Sequence, residues 1–393
     1  MSQLPQLDIP PLFIGDAPRF GWRGLSVDIA RHWYGPETLR KVIDIAAHYR
    51  LNRLHLHLTD DQGWRIEVPA YPALTKISGR TQVGGQVPEG DLGYLTLDDY
   101  RELQEYALER GVVVVPEIDL PGHINAALHA LPELNPDGKA TEAYGGIDVG
   151  HSALRAANRA TKPFITAVLE TISAHTLGEW VHVGGDEVPL LPADEYAELV
   201  RHAVSTVVAA GKKPVMWQEG ASALDADMLR AHEIYLQFWQ HQIDAAPYIE
   251  AARNGARIIL SPATNAYLDM RYDDGDTLGT SWGGSMPPID LHQARAWEPT
   301  ELLPGLPDGA IVGVEAAVWT ENCRNEADLF SMLFPRLPAI ADIAWSPRNT
   351  SLSNDDGATA FIERLQPHAA LWAEWGLPSV AAERLASAAG AVK

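Results

Sequence analysis

Cysteine is all but missing from this chain. Cys323 is the single example in 393 residues, which excludes an intramolecular disulfide and any cysteine-based metal centre. The first twenty residues lack the basic start and apolar run of a secretory signal; Met1 to Phe20 carries prolines with Asp8 and Asp16 instead. Neither a leader nor a membrane span is read, and the cytoplasm is the expected compartment. Positive charge is scarce too. The 30 Lys and Arg face 52 Asp and Glu, for a formal net charge of −22, and such a surface repels nucleic acid and anionic membranes as partners. A glycine-rich dinucleotide fingerprint is absent from the early part of the chain, which counts against an open nucleotide-binding sheet.

Apolar residues, by contrast, make up 46% of the chain, enough for a large core in one barrel or two ordinary domains. Many of them fall in eight short runs: Trp22 to Val27, Arg53 to Leu58, Val112 to Ile118, Trp180 to Val183, Pro214 to Trp217, Ile234 to Trp239, Arg257 to Ser261 and Ile311 to Trp319. Nearly every run is followed by a helical pattern. A helix opened by Pro36 places Leu39, Val42, Ile43 and Ala46 on one face, and Thr96 with Asp99 forms a capping-box start to the next. Helices are expected near 162–175, 193–210 and 327–345, the last kinked or broken at Pro335 and Pro338. Apolar strands alternating with helices mean a parallel sheet covered by helices. Eight such units predict an α/β fold, a closed (β/α)8 TIM barrel. Residues 1–18 then form an N-terminal extension and 19–350 the barrel. Residues 351–393 supply a C-terminal helix, Thr359 to Trp375, and a frayed Ala-rich tail packed outside it. An open doubly wound sheet is the alternative architecture.

In such a barrel the active site lies at the C-terminal ends of the strands. The strand exits carry Asp60 and Asp61, Asp119 and His123, Asp186 and Glu187, Trp217 and Glu219, Trp239, and Trp319 and Glu321. Acids beside flat apolar rings suit a sugar, whose hydroxyls need acceptors and whose C–H faces stack on indole. Each tryptophan alone is more often core than subsite; the coincidence across six strands is the signal. In Val181-His182-Val183-Gly184-Gly185-Asp186-Glu187-Val188 the glycines let the backbone leave its strand. Neighbours on a regular strand point to opposite faces, so the two carboxylates converge only beyond its end. A solvated acidic loop is the plain reading of such a pair, and a catalytic pair the sharper one. Glycosidases that use two carboxylates hold them ~5–5.5 Å apart for retention or ~6.5–9.5 Å apart for inversion, across the sugar. Neighbours on one turn fit that poorly. They fit better if one is the general acid and the other assists a nucleophile carried by the substrate. His55 and His57 form an HxH pair able to hold a divalent metal, but the strands near Trp217 and Trp239 do not end in further histidines. No metal and no cofactor is expected.

Further stretches join these in a fixed order: Arg23-Gly24-Leu25 through Trp33, His55-Leu56-His57-Leu58-Thr59-Asp60-Asp61-Gln62-Gly63-Trp64, Pro116-Glu117-Ile118-Asp119-Leu120-Pro121-Gly122-His123, Gly184-Gly185-Asp186-Glu187, Trp217-Gln218-Glu219, Tyr267-Leu268-Asp269 and Trp319-Thr320-Glu321. With them the chain resembles the β-N-acetylhexosaminidases of glycoside hydrolase family 20 from about Arg19 to Trp345. The resemblance implies retaining exo-hydrolysis of terminal β-linked GlcNAc or GalNAc through an oxazolinium intermediate, with a carbohydrate as partner. It implies Glu187 as general acid/base and Asp186 as the residue that holds the 2-acetamido N–H. Tyr267 would bind the acetamido oxygen, and Trp217, Trp239 and Trp319 would wall its pocket. Arg23 and Glu321 would bind the 3- and 4-hydroxyls and Asp269 the 6-hydroxyl. Asp61 would support Asp186, and Asp119 with His123 would support Glu187.

Many family members carry a small α+β domain before the barrel, which about twenty residues cannot supply. A single catalytic domain is expected here, with homodimerisation one way to replace the lost support. The insertion from Ala263 to Gly309, including Trp282, is expected to set aglycone preference. Three alternatives stay open: a family relative acting on a disaccharide or phosphorylated amino sugar (Arg271 follows Asp269 closely), a non-catalytic sugar-binding barrel, and a metal hydrolase.

Overall fold

The computed structural model describes residues 15–242, 244–281, 286–347 and 355–391. Eight parallel strands close into a barrel: β1 Trp22–Asp28, β2 Arg53–His57, β3 Val113–Glu117, β4 Trp180–His182, β5 Lys213–Trp217, β6 Tyr235–Phe238, β7 Arg257–Leu260 and β8 Ile311–Val318. Each hydrogen-bonds to its sequence neighbours, and β1 closes the ring against β8. Outward-facing Leu25, Val27, Leu54, Leu56, Val114 and Val314 are buried under the surrounding helices, so the strands are apolar on the side the helices cover.

Inside the barrel the chemistry changes along the axis. At the N-terminal end Trp22, Trp180 and Tyr235 pack ring against ring, with centroids 5.5–6.1 Å apart, and the Arg53 guanidinium lies over both tryptophans. Above this plug the inward positions turn polar. Glu315 of β8 accepts from the Trp22 indole at 2.8 Å and from Gln237 of β6 at 2.9 Å, and it pairs with His55 of β2 at 2.9 Å. Gly24 of β1 pairs in register with Glu315, and a Cβ there would sit 2.1 Å from its carboxylate; only glycine leaves the room.

The helices follow the sequence pattern closely, including Pro36–His48, Thr161–His175 and Ala193–Ala209. The Thr96 and Asp99 side chains exchange both bonds of a capping box. Residues 326–345 form two helices, Glu326–Leu333 and Arg336–Trp345, broken at Pro335. Pro338 sits in the first turn of the second, where a missing N–H costs nothing. The C-terminal region departs from expectation: in place of one helix and a frayed tail there are three helices, Asp355–Leu365, His368–Glu374 and Val380–Ala391. Pro367 and Gly376 separate them. The Ala-rich segment is ordered because Ala381 and Leu385, one turn apart, are buried.

A Cβ at Gly313 would lie 2.0 Å from the Trp22 carbonyl oxygen, a backbone atom that cannot swing aside. Gly313→Ala is therefore expected to destabilise the barrel by about 3 kcal/mol, read as a lower urea midpoint at unchanged m-value.

Candidate active site

β4 ends at His182, and the chain turns out of the sheet through Gly184 and Gly185, at φ 69° and 106°. The turn is tight. A Cβ on Gly184 would fall 1.7 Å from Asp119 Oδ1, and the same oxygen accepts the Gly185 N–H at 3.1 Å. His182 Nδ1 accepts the Gly184 N–H at 3.0 Å. Glu187 follows at φ 49°, and His123 at the exit of β3 has φ 50°. Side chains rarely adopt this left-handed conformation and do so mainly where surroundings enforce it. Here the result is two adjacent carboxylates facing one imidazole: His123 Nε2 stands 3.8 Å from Asp186 and 3.6 Å from Glu187.

That imidazole is held from below by a line of alternating charge. Glu117, fully buried at the end of β3, accepts from His57 Nδ1 at 2.5 Å and from the Trp217 indole at 2.8 Å. His55 Nε2 lies 3.1 Å from the same carboxylate. His57 Nε2 meets Asp60 Oδ2 at 2.7 Å, and Asp60 Oδ1 meets His123 Nδ1 at 3.2 Å. Burial alone would strip the proton from His57 and His123. The charges of Glu117 and Asp60, with the hydrogen bonds they make, reverse this and hold both imidazoles well above their usual range. Asp60, buried but beside Arg31 and His123, is held well below the carboxylate range. His182, where burial wins, is pushed down.

The acids nearest the turn shift the other way. Burial raises Asp186 to about 6 against the opposing pull of His123. Asp119, behind the turn, is driven well above its usual value by burial and the Asp186 charge. Glu219, buried and facing Asp186, rises to about 8 while its carboxylate accepts from the Trp239 indole at 3.1 Å. Burial next to Glu321 raises Asp269 to about 8.

These groups surround a cavity of about 500 Å³ lined by Asp119, His123, Asp186, Glu187, Trp239, Tyr267, Trp319 and Glu321. The Trp239 and Tyr267 rings lie parallel, 6.2 Å apart, and Trp319 stands across them. Trp217 and Asp269 are not among the lining residues. Trp217 is buried against Trp319, its centroid 5.8 Å away, and Asp269 is buried beside the Trp319 amide.

Three assignments need correction. Arg23 sits at the wrong end of the barrel: as the second residue of β1 it donates to the carbonyls of Arg50 and Phe20, about 16 Å along the strand from the site. The cation at the cavity is Arg31, in the loop after β1. Its guanidinium contacts Asp60 at 2.8 Å and Glu321 at 3.9 Å, and lies over the Trp319 ring. Asp61 does not reach Asp186; it accepts from the Asn125 amide and from Ser152 and pairs with His151, fastening neighbouring loops. The acid in the relay is Asp60, one residue earlier. Asp119 faces Asp186 and the glycine turn, whereas Glu187 is met by His123. The loops at the strand exits contain Arg31 and Asp60 in the sequence, but nothing there ranks them above their neighbours, since side-chain direction in a loop is not periodic. Trp282 lies outside the described residues.

Among the described residues, four buried groups could in principle hold a cation: His55-Glu117-His182, His57-Glu117-Asp119, Asp60-Asp61-His123 and Asp119-His123-Asp186. In the first three, the shared carboxylates Glu117 and Asp60 already serve imidazole, indole or guanidinium partners. The fourth belongs to the turn that carries the two adjacent acids. Proton-bearing imidazoles such as His57 and His123 make poor ligands, which must be neutral.

The corrected cation can be tested directly. Arg31→Ala, which strips a buried charge partner from Asp60 and Glu321, is expected to lower kcat/KM by about 10²-fold. Arg23→Ala should leave kcat/KM unchanged and cost about 1–3 kcal/mol of stability through two abandoned carbonyls. Steady-state rates and urea melts on both variants separate the two roles.

Comparison with known proteins agrees with this geometry. The family model "Glycosyl hydrolase family 20, catalytic domain" matches residues 20–348. A β-N-acetylhexosaminidase of Cellulomonas fimi is 45% identical over 366 residues, spanning 93% of this chain and 70% of that protein. A β-hexosaminidase of Vibrio furnissii is 34% identical, over 85% of this chain and 58% of its own length. Among solved structures, the Streptomyces plicatus N-acetyl-β-hexosaminidase in complex with Thio-NAglucal superposes with a TM-score of 0.84 at 39% identity, covering 92% of this chain and 70% of that one. With an eight-stranded barrel and an acidic, tryptophan-lined cavity at the strand exits, the chain belongs to glycosyl hydrolase family 20 and is a glycoside hydrolase of the β-N-acetylhexosaminidase kind.

Proposed function

We propose that the chain removes terminal, non-reducing β-linked GlcNAc or GalNAc with retention, using the substrate's own acetamido group as nucleophile. The observation that carries this is the placement of Asp186 and Glu187 side by side on one turn, both lining the cavity with Tyr267. A double-displacement enzyme needs a carboxylate across the sugar from its acid. The buried acids of the lining are committed elsewhere, Asp60 to Arg31, His57 and His123 and Asp119 to the glycine turn, and the half-buried Glu321 lies 3.9 Å from Arg31.

On this reading Glu187 donates a proton to the glycosidic oxygen as the C1–O bond breaks. The acetamido oxygen closes on C1 to form an oxazolinium ion. Asp186, ionised at neutral pH with a value near 6, accepts the acetamido N–H and offsets the charge that develops on the ring. Tyr267 donates to the acetamido oxygen and keeps it aligned. Trp239 and Trp319 exclude water from that side until the leaving group departs. Glu187 then takes a proton from the incoming water, which adds to C1 from the side the leaving group vacated. Two inversions give retention. Among the described lining residues Arg31 is the arginine, and it is spent on Asp60 and Glu321, so a phosphorylated sugar finds no free guanidinium.

Initial rates on an aryl β-N-acetylglucosaminide and the matching aryl β-glucoside test the mechanism: turnover of the first alone is expected, and comparable turnover of both would overturn acetamido participation. Asp186→Asn should lower kcat by about 10²-fold or more. The acid limb of kcat/KM in the unaltered protein is expected near pH 6, where Asp186 gains its proton. Stability should move oppositely. Because the folded chain holds the Asp186 proton between the ordinary 3.8 and about 6, stability falls as pH rises through that window. Asp186→Asn avoids this cost, so its Tm should exceed that of the unaltered protein at pH 7, with the gap closing as pH drops below about 4.

A further inference from the structure

The segment that carries Tyr267 is tied to the barrel by one bridge to β8. The Leu268 N–H donates to the Ala317 carbonyl at 2.6 Å, and the Ala317 N–H to that of Ala266 at 3.0 Å. Past this bridge its course is set from outside the barrel. The Arg336 guanidinium, fully buried at the start of the helix Arg336–Trp345, donates to the carbonyls of Leu268 at 2.5 Å and Met270 at 2.7 Å, and to that of Ile289 at 2.7 Å. A planar fork of donors fixes several carbonyls relative to one another at once, and two of these immediately follow Tyr267 and Asp269.

A second arginine reaches the same segment from the helix Val380–Ala391, which lies beyond the residues matched by the family model. Arg336 and Arg384 each lie 3.6 Å from the Tyr272 ring centroid, close enough for a cation to be held by the ring face. Arg384 also donates to Asp276 Oδ2 at 3.0 Å and to the Ser331 carbonyl at 2.6 Å. The same Asp276 oxygen accepts the Tyr272 N–H at 3.2 Å. From there the chain returns to the cavity. The Thr280 N–H donates to the Asp269 carbonyl at 2.9 Å and the Arg271 N–H to that of Thr280 at 3.1 Å, and Thr280 lines the cavity with Tyr267. The loop has no slack: a Cβ on Gly279 would lie 2.7 Å from both the Asp269 carbonyl oxygen and the Met332 side chain.

We infer that Arg384 is a positioning residue for the reaction. Through Tyr272 and Arg336 it fixes the backbone that follows Tyr267, and so the direction from which the Tyr267 hydroxyl meets the sugar. The inference rests on the hexosaminidase reading above, in which that hydroxyl aligns the acetamido oxygen. It gives the C-terminal helix a part in the chemistry as well as in packing. Alignment of a nucleophile counts most in the transition state, so loss of Arg384 falls on kcat and leaves KM nearly unchanged.

The test is a double-mutant cycle of Arg384→Ala and Tyr267→Phe, with initial rates on an aryl β-N-acetylglucosaminide taken below the melting transition of every variant. Arg384→Ala is expected to lower kcat about three- to tenfold, and to have little further effect once Tyr267→Phe has removed the hydroxyl it positions. An equal loss in both backgrounds, or an unchanged kcat with only a lower Tm, would overturn the positioning role, since a purely structural brace does not couple to that hydroxyl. If Arg384→Ala does not fold, Asp276→Asn, which weakens the link between Arg384 and the Tyr272 amide, goes through the same cycle with the same two outcomes. No turnover by the unaltered protein, or a Tyr267→Phe with unchanged kcat, would instead overturn the functional reading itself, and the two failures are therefore distinct.

Discussion

One buried carboxylate governs the interior of this barrel. Glu117 enters a space with no water to solvate it, and an isolated charge there would be prohibitive. It is compensated by His57 and the Trp217 indole, with His55 against it, and these come from two other strands. The same pairing opens the line of groups above it. Glu117 raises His57, Arg31 and His123 hold Asp60 well below the carboxylate range, and Asp60 in turn raises His123. The imidazole that meets Asp186 and Glu187 is thus linked through hydrogen bonds to a carboxylate three groups deeper.

The glycine turn is the second constraint, and it is steric. Gly184 lies so close to Asp119 that any side chain would expel it, while Asp119 in turn holds the Gly185 amide. Strand, turn and acid support one another, which lets the chain keep Glu187 in a conformation that costs roughly 1–3 kcal/mol. Burial, rather than a single partner, then decides which carboxylates stay ionised. Asp186, tempered by His123, rises only to about 6, while burial and the Asp186 charge drive Asp119 directly behind it well above its usual value.

The barrel's two ends divide the labour. The N-terminal end is closed by aromatic packing under Arg53 and contributes stability. The C-terminal end carries the acids, the indoles and the one guanidinium that bridges Asp60 and Glu321. The base of the cavity is rigid because Trp239 and Tyr267 are buried and stacked. At its mouth the lining is aliphatic and exposed, at Ile147 and Val149.

Periodicity in the chain determined the eight strands, the capping box, the break at Pro335 and the glycine turn with its two acids, because each rests on interactions between residues close in sequence. Tyr267 was marked only by the family resemblance, whereas strand-end position marked Trp239, Trp319 and Glu321. It could not separate Asp60 from Asp61, or Arg31 from Arg23. Within a loop no repeat dictates which side chain points inward, and an arginine two residues into a strand lies at the far end of the barrel from one just beyond it. The ordered helix Val380–Ala391 was hidden for a similar reason: its Ala-rich composition has no strong apolar stripe, and only packing of Ala381 and Leu385 against the rest of the chain gives it a buried face. Protonation was decided by tertiary structure alone. Asp119 and Asp186 are alike as sequence, and differ in how far burial, each other's charge and His123 move each of them.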